Sequence, residues 1–180
     1  MKYIACFGDS LIQGFPYGNR YSWIAACEES KKLKMLNYGL CGDCCDDIFY
    51  RLKMYALPEY VKHIVFLGGA NDIISGCPYN YTLGMFDKLY AFCQEKNYKL
   101  CIVLPLISAD DFLNQKLEAL KADIIKKYTG KVLLLDLQEA IGMDAKARKL
   151  AYTDGVHPTA QTYKAMGNYA MPILEKWAEE

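Results

Sequence analysis

Met1-Lys2-Tyr3-Ile4-Ala5-Cys6-Phe7-Gly8-Asp9-Ser10 opens the chain, and its reading decides the fold. Tyr3–Phe7 is an apolar run of strand length that ends directly on Gly-Asp-Ser. It has no polar alternation, so it reads as a strand buried on both faces. Similar runs recur at Met35–Tyr38, Ile64–Leu67, Leu100–Leu104 and Val132–Leu135. Between them, helical periodicity is read at Tyr21–Lys32, Asp46–Ala56, Tyr81–Lys96 and Asp111–Tyr128, with a last helix over Thr159–Glu179. Buried strands alternating with helices predict a three-layer α/β/α fold, a five-stranded parallel sheet with right-handed crossovers. No repeat, low-complexity tract or linker divides the chain, so residues 1–180 are read as a single domain.

Composition narrows the function. With 180 residues and 53% apolar content, the chain can bury a core without metals or disulfides. Lys plus Arg equals Asp plus Glu, 21 each. That balance gives no global field to recruit nucleic acid or an anionic membrane, and a small-molecule partner is expected. No apolar stretch is long enough to span a bilayer, and Met1–Phe7 runs into the first motif without a signal-like segment. A cytoplasmic location is expected. Of the eight cysteines, Cys6, Cys27, Cys93 and Cys101 lie inside apolar segments and read as reduced small hydrophobes. Cys41-Gly42-Asp43-Cys44-Cys45 has the spacing of a metal or redox pair. A structural zinc takes four ligands, and neither a second pair nor a nearby histidine is present, so no metal and no cofactor are expected.

In an open parallel sheet, ligands bind outside the carboxyl ends of the strands. Ser10 follows the first strand, Gly39–Asp43 the second and Gly68-Gly69-Ala70-Asn71-Asp72 the third. Asp154-Gly155-Val156-His157-Pro158 lies beyond the fifth. A serine hydroxyl becomes a nucleophile when an imidazole takes its proton and a carboxylate orients that imidazole. Asp154 and His157 are three residues apart, within one turn. The other histidine, His63, marks the start of the third strand, remote from ligands. A plainer reading has Asp154 closing a turn and His157 capping the helix begun by Pro158. Gly42 offers an unobstructed backbone N–H and Asn71 a side-chain amide, which with the N–H of Ser10 would hold the oxyanion formed in acyl transfer. Taken singly, an ordinary turn explains Gly42 and Asn71 as well.

With these four blocks in order, the chain resembles the SGNH hydrolases, or GDSL-type esterases and lipases. The blocks are Gly8-Asp9-Ser10-Leu11, Asn37-Tyr38-Gly39-Leu40-Cys41-Gly42-Asp43, Gly69-Ala70-Asn71-Asp72 and Asp154–Pro158. The resemblance implies a flavodoxin-like sheet in the order 2-1-3-4-5, Ser10 as nucleophile, His157 as base and Asp154 as its orienting acid. It also implies Ser10, Gly42 and Asn71 as oxyanion donors. Cys44 and Cys45 stand where many relatives carry threonine or serine, and are read as packing. Candidate substrate contacts are Asp9, Phe15, Tyr17, Arg20, Tyr79 and Tyr152, with Tyr21, Trp23, Tyr81 and Phe112 as further rim aromatics. No inserted lid is present to shield a lipid chain, so a short acyl group, such as acetyl on a carbohydrate, is the expected substrate. Two rivals stay open: acyl transfer to an acceptor other than water, and a non-catalytic module cradling an anion at Gly8–Gly14.

Overall fold

A computed structural model describes residues 1–180. Five parallel strands, β1 (Lys2–Gly8), β2 (Leu33–Gly39), β3 (His63–Leu67), β4 (Lys99–Val103) and β5 (Leu133–Leu135), form one sheet in the order β2-β1-β3-β4-β5. The apolar runs are continuous because successive side chains serve opposite faces. In β1, Ile4 and Cys6 join the core on one face while Ala5 and Phe7 join the other. Val65 and Leu67 of β3 likewise face away from Ile64 and Phe66.

Helices α2 (Trp23–Cys27) and α8 (Ala160–Glu179) cover the first face, and α3 (Cys45–Met54), α5 (Tyr79–Glu95) and α6 (Asp111–Tyr128) the second. The chain also forms α1 (Ser10–Gln13), α4 (Ala70–Ile74) and α7 (Ala145–Ala151). No helix is long and apolar enough to cross a membrane.

Register brings the motifs together. Gly8 pairs with Gly39 on one side and Leu67 on the other, so β1, β2 and β3 end level and their following loops emerge side by side. Gly39 is required there: any Cβ would collide with the backbone of Gln13 where α1 crosses the end of β2.

Several elements differ from the sequence reading. The helix expected over Tyr21–Lys32 is only one and a half turns, α2, flanked by tight helical turns at Asn19–Tyr21 and Glu28–Ser30. Ser22 caps its start by accepting from the Ala25 N–H, and Lys31 turns left-handed (φ 58°) to begin β2 two residues before Met35. Helix α7 escaped notice because its sequence, AKARKLA, buries only Ala151 and so shows no apolar stripe. Trp23, expected at the rim, is wholly buried in the core.

Candidate active site

Asp9 shapes the turn that presents Ser10. Its carboxylate accepts from the Leu11 N–H at 2.9 Å and so caps α1. Ser10 is the first residue of that helix, which leaves its own N–H without an intrahelical acceptor. Asp9 is 1% exposed, so it is a scaffold behind the serine and not the substrate contact expected from sequence. Burial pushes its carboxyl up to about 7, with neighbouring Asp43 and Asp72 adding to the effect, against the opposing Leu11 N–H.

His157 reaches Ser10 from the other end of the chain. The Ser10 hydroxyl donates to His157 Nε2 at 2.9 Å, and His157 Nδ1–H donates to Asp154 Oδ2 at 2.7 Å. An ionised carboxylate only accepts, which assigns the proton to Nδ1 and leaves Nε2 as the bare acceptor. The remaining Asp154 oxygen accepts from the backbone N–H groups of Val156 and His157, at 3.0 and 2.8 Å. Burial works against ionisation of Asp154, but these bonds from the His157 backbone, its ring and Val156 prevail and hold the carboxyl at about 2.

The loop itself is pinned. Thr153 N–H and hydroxyl both donate to the His157 carbonyl, Tyr152 and Pro158 form a bridge, and Ala109 N–H donates to Gly155 O. Helix α8 starts only at Ala160, capped by Thr159, so His157 is free of any capping duty.

The loop after β2 is held to the same rim. Leu40 N–H donates to Gly8 O, and Cys41 N–H to the Gln13 side chain. Gly42 follows with φ 85°, a conformation that favours glycine. Asn71, in α4, donates one amide hydrogen to Asp43 O at 2.9 Å, which ties this loop to the one after β3 and leaves its second hydrogen available.

The sequence reading missed Arg51. From α3 it donates to Asp43 Oδ2 (2.6 Å), Tyr38 O (2.7 Å) and Gly8 O (3.0 Å), clamping the ends of β1 and β2 to the Gly42 loop. Nothing in the local sequence marks it, since its partners lie 8, 13 and 43 residues away.

A narrow apolar slot adjoins the pair of Ser10 and His157. Leu11, Ala70 and Val156, the immediate neighbours of Ser10, Asn71 and His157, line it with Leu106, Leu117 and Tyr152. Its free volume is about 20 Å³. Tyr152 is held in its wall by donating to Ile107 O at 2.7 Å. The half-exposed Phe15 ring stands edge-on to His157, with centroids 4.6 Å apart, and its carbonyl is held by the Tyr163 hydroxyl. Tyr17 and Tyr21 are exposed and contact each other. The other proposed contacts fall elsewhere. Tyr79 donates to Asp123, Tyr81 to Asp46, and Arg20 lines a surface hollow with Glu29 and Lys164. Phe112 is almost fully exposed at the start of α6. His63 opens β3 with its ring against Trp177, at the opposite end of the strand from the Gly68 loop.

Comparison with known proteins bears on the fold and the family. Residues 6–165 match the family described as GDSL-like Lipase/Acylhydrolase. No curated protein matches the sequence significantly. Among solved structures, one of a protein assigned to the lipolytic G-D-S-L family from Desulfitobacterium hafniense superposes with a TM-score of 0.86 at 20% identity, covering 96% of this chain and 99% of that one. A member of the same lipolytic family from Veillonella parvula gives 0.80 at 21% identity over 96% and 98% of the two chains. The psychrotrophic esterase EstA from Pseudoalteromonas sp., in a form inhibited by monoethylphosphonate, gives 0.79 at 15% identity over the full length of both. With the motif blocks in their expected order on this sheet, the chain belongs to the GDSL-like lipase/acylhydrolase family of serine hydrolases.

Proposed function

We propose that the protein is an esterase that hydrolyses short-acyl esters of small polar alcohols, acetylated carbohydrate among them, through an acyl-enzyme on Ser10. The observation that carries this reading is the unbroken hydrogen-bonded relay from Ser10 through His157 to Asp154. Ser10 Oγ bonds to the ester carbonyl carbon as its proton passes to His157 Nε2. The Ser10 and Gly42 N–H groups and the free Asn71 amide hydrogen take the oxyanion. The carbon–alkoxy bond then breaks, and the alcohol leaves with the proton from His157. Water, deprotonated by the same imidazole, attacks the acyl-enzyme and releases the acid and Ser10.

The narrowness of the apolar slot, with about 20 Å³ of free volume against the roughly 10–15 Å³ that one water needs, supports a short acyl group over a bulky one. Outside it, Phe15 and Tyr17 offer apolar faces on which a sugar ring can stack. The test is a p-nitrophenyl ester series from acetate to octanoate, with fluorophosphonate labelling and peptide mapping. Labelling confined to Ser10, with acetate exceeding octanoate at least about tenfold in kcat/KM, is expected; one methylene too many for a pocket already costs about tenfold or more. A folded protein that neither turns over nor labels is a binding module, and a preference for octanoate removes the short-acyl assignment.

Arg51→Met is expected to lower kcat about 10- to 100-fold with KM little changed, because it frees the Gly42 loop without touching the acyl slot. Arg51→Lys should recover little, since one ammonium cannot reproduce three directed N–H bonds. Steady-state kinetics on p-nitrophenyl acetate, with melting curves to confirm folding, checks both.

A further inference from the structure

Cys44, Asp72 and Cys77 converge beside the Gly42 loop, with one ligand atom from each, two sulfurs and one carboxylate oxygen, within 4.8 Å of one another. They come from three elements: the N-cap of α3, the interior of α4 and the turn between α4 and α5. Cys77 lies 33 residues beyond Cys44, which is why the sequence showed only an isolated cysteine cluster.

The three groups are fixed by their surroundings. Cys77 N–H donates to the Asp72 carbonyl at 2.8 Å. Cys45 N–H donates to Asp72 Oδ2 at 2.9 Å, and the Thr82 hydroxyl to Oδ1 at 3.2 Å. Asp72 is therefore buried, oriented by two donors and linked through backbone to both thiols, the kind of outer support that metal ligands have. Each carboxylate oxygen keeps a further lone pair. Cys44 and Cys77 are only partly buried, so solvent can supply a fourth ligand.

We propose that Cys44, Asp72 and Cys77 bind one soft divalent cation of the zinc class. Two sulfurs select such a cation over magnesium or calcium, and two sulfurs, one carboxylate oxygen and a water complete a tetrahedron. A disulfide would have no use for the third member. Binding releases the two thiol protons to solvent and ties the start of α3, next to Gly42, to the helix that carries Asn71. The site does not depend on the esterase reading.

The test is anaerobic titration of the reduced full-length protein with cadmium chloride, following thiolate-to-cadmium charge-transfer absorption and proton release with a pH indicator. Saturation at one cation and two protons per chain is expected, with zinc chloride displacing the signal. Cys44→Ser and Cys77→Ser should each weaken binding about 100-fold or more, while Cys41→Ser, which removes the exposed thiol next to Gly42, should leave it intact. Cys77 sits in a turn, so its serine variant, with an unchanged cation-free melting temperature, keeps the test decisive if Cys44→Ser misfolds. No charge-transfer band in the reduced wild type, a band that survives in Cys77→Ser, or one lost in Cys41→Ser overturns the proposal.

Discussion

Ser10→Ala is expected to lower kcat on p-nitrophenyl acetate by at least about 10⁴-fold, the scale on which removing a nucleophile disables a serine hydrolase. The change deletes one oxygen whose hydrogen-bonding partner is His157 Nε2. The Asp9 cap to Leu11 N–H and the packing of Leu11 and Ile12 stay in place. Melting temperature should therefore move little, separating lost chemistry from lost fold. The same variant should resist fluorophosphonate. Retention of ordinary turnover would remove Ser10 from the mechanism.

His157→Ala should cost a similar factor, about 10⁴-fold in kcat. Asp154 remains anchored in the variant, because the Val156 and residue-157 backbone N–H groups still donate to it. A companion expectation concerns pH. In the wild type, kcat/KM should rise with pH as the imidazole sheds its proton, since only the neutral ring can accept from Ser10. The Asp154 carboxyl, held at about 2, is ionised throughout that rise. The acid limb of the profile therefore does not report Asp154, and its loss in the alanine variant separates His157 from Asp9, whose carboxyl titrates near 7. A flat profile from mildly acidic to neutral pH, or one that persists in the alanine variant, would displace His157 as the base.

The sheet and the four motif blocks were readable in the sequence because each depends on local signals. Buried strands show as unbroken apolar runs, and the loops that follow them carry glycines at positions where chain geometry demands them. Strand order came from the family resemblance, and the register of Gly8 with Gly39 and Leu67 agrees with it. What could not be read depends on distance along the chain. Arg51 holds groups up to 43 residues away, and neither composition nor periodicity marks a helix arginine as a clamp. Aromatic side chains misled in the opposite sense. Trp23 and Tyr79 look like rim residues in sequence, yet one fills the core and the other is committed to Asp123. Asp9, taken for a substrate contact, lies beneath the serine because it must cap the short helix.

That buried acid has a thermodynamic consequence. A carboxyl that titrates near 7 in the native protein and at 3.8 in the unfolded chain prefers its neutral form when folded. Folding is therefore penalised by nothing from this group below about pH 4, by a growing amount between there and 7, and by a constant amount above, at most about 4 kcal/mol. An imidazole base works only once it is neutral, so the conditions that favour turnover are those in which Asp9 strains the native state most. Heat tolerance and catalytic speed should thus peak at different acidities.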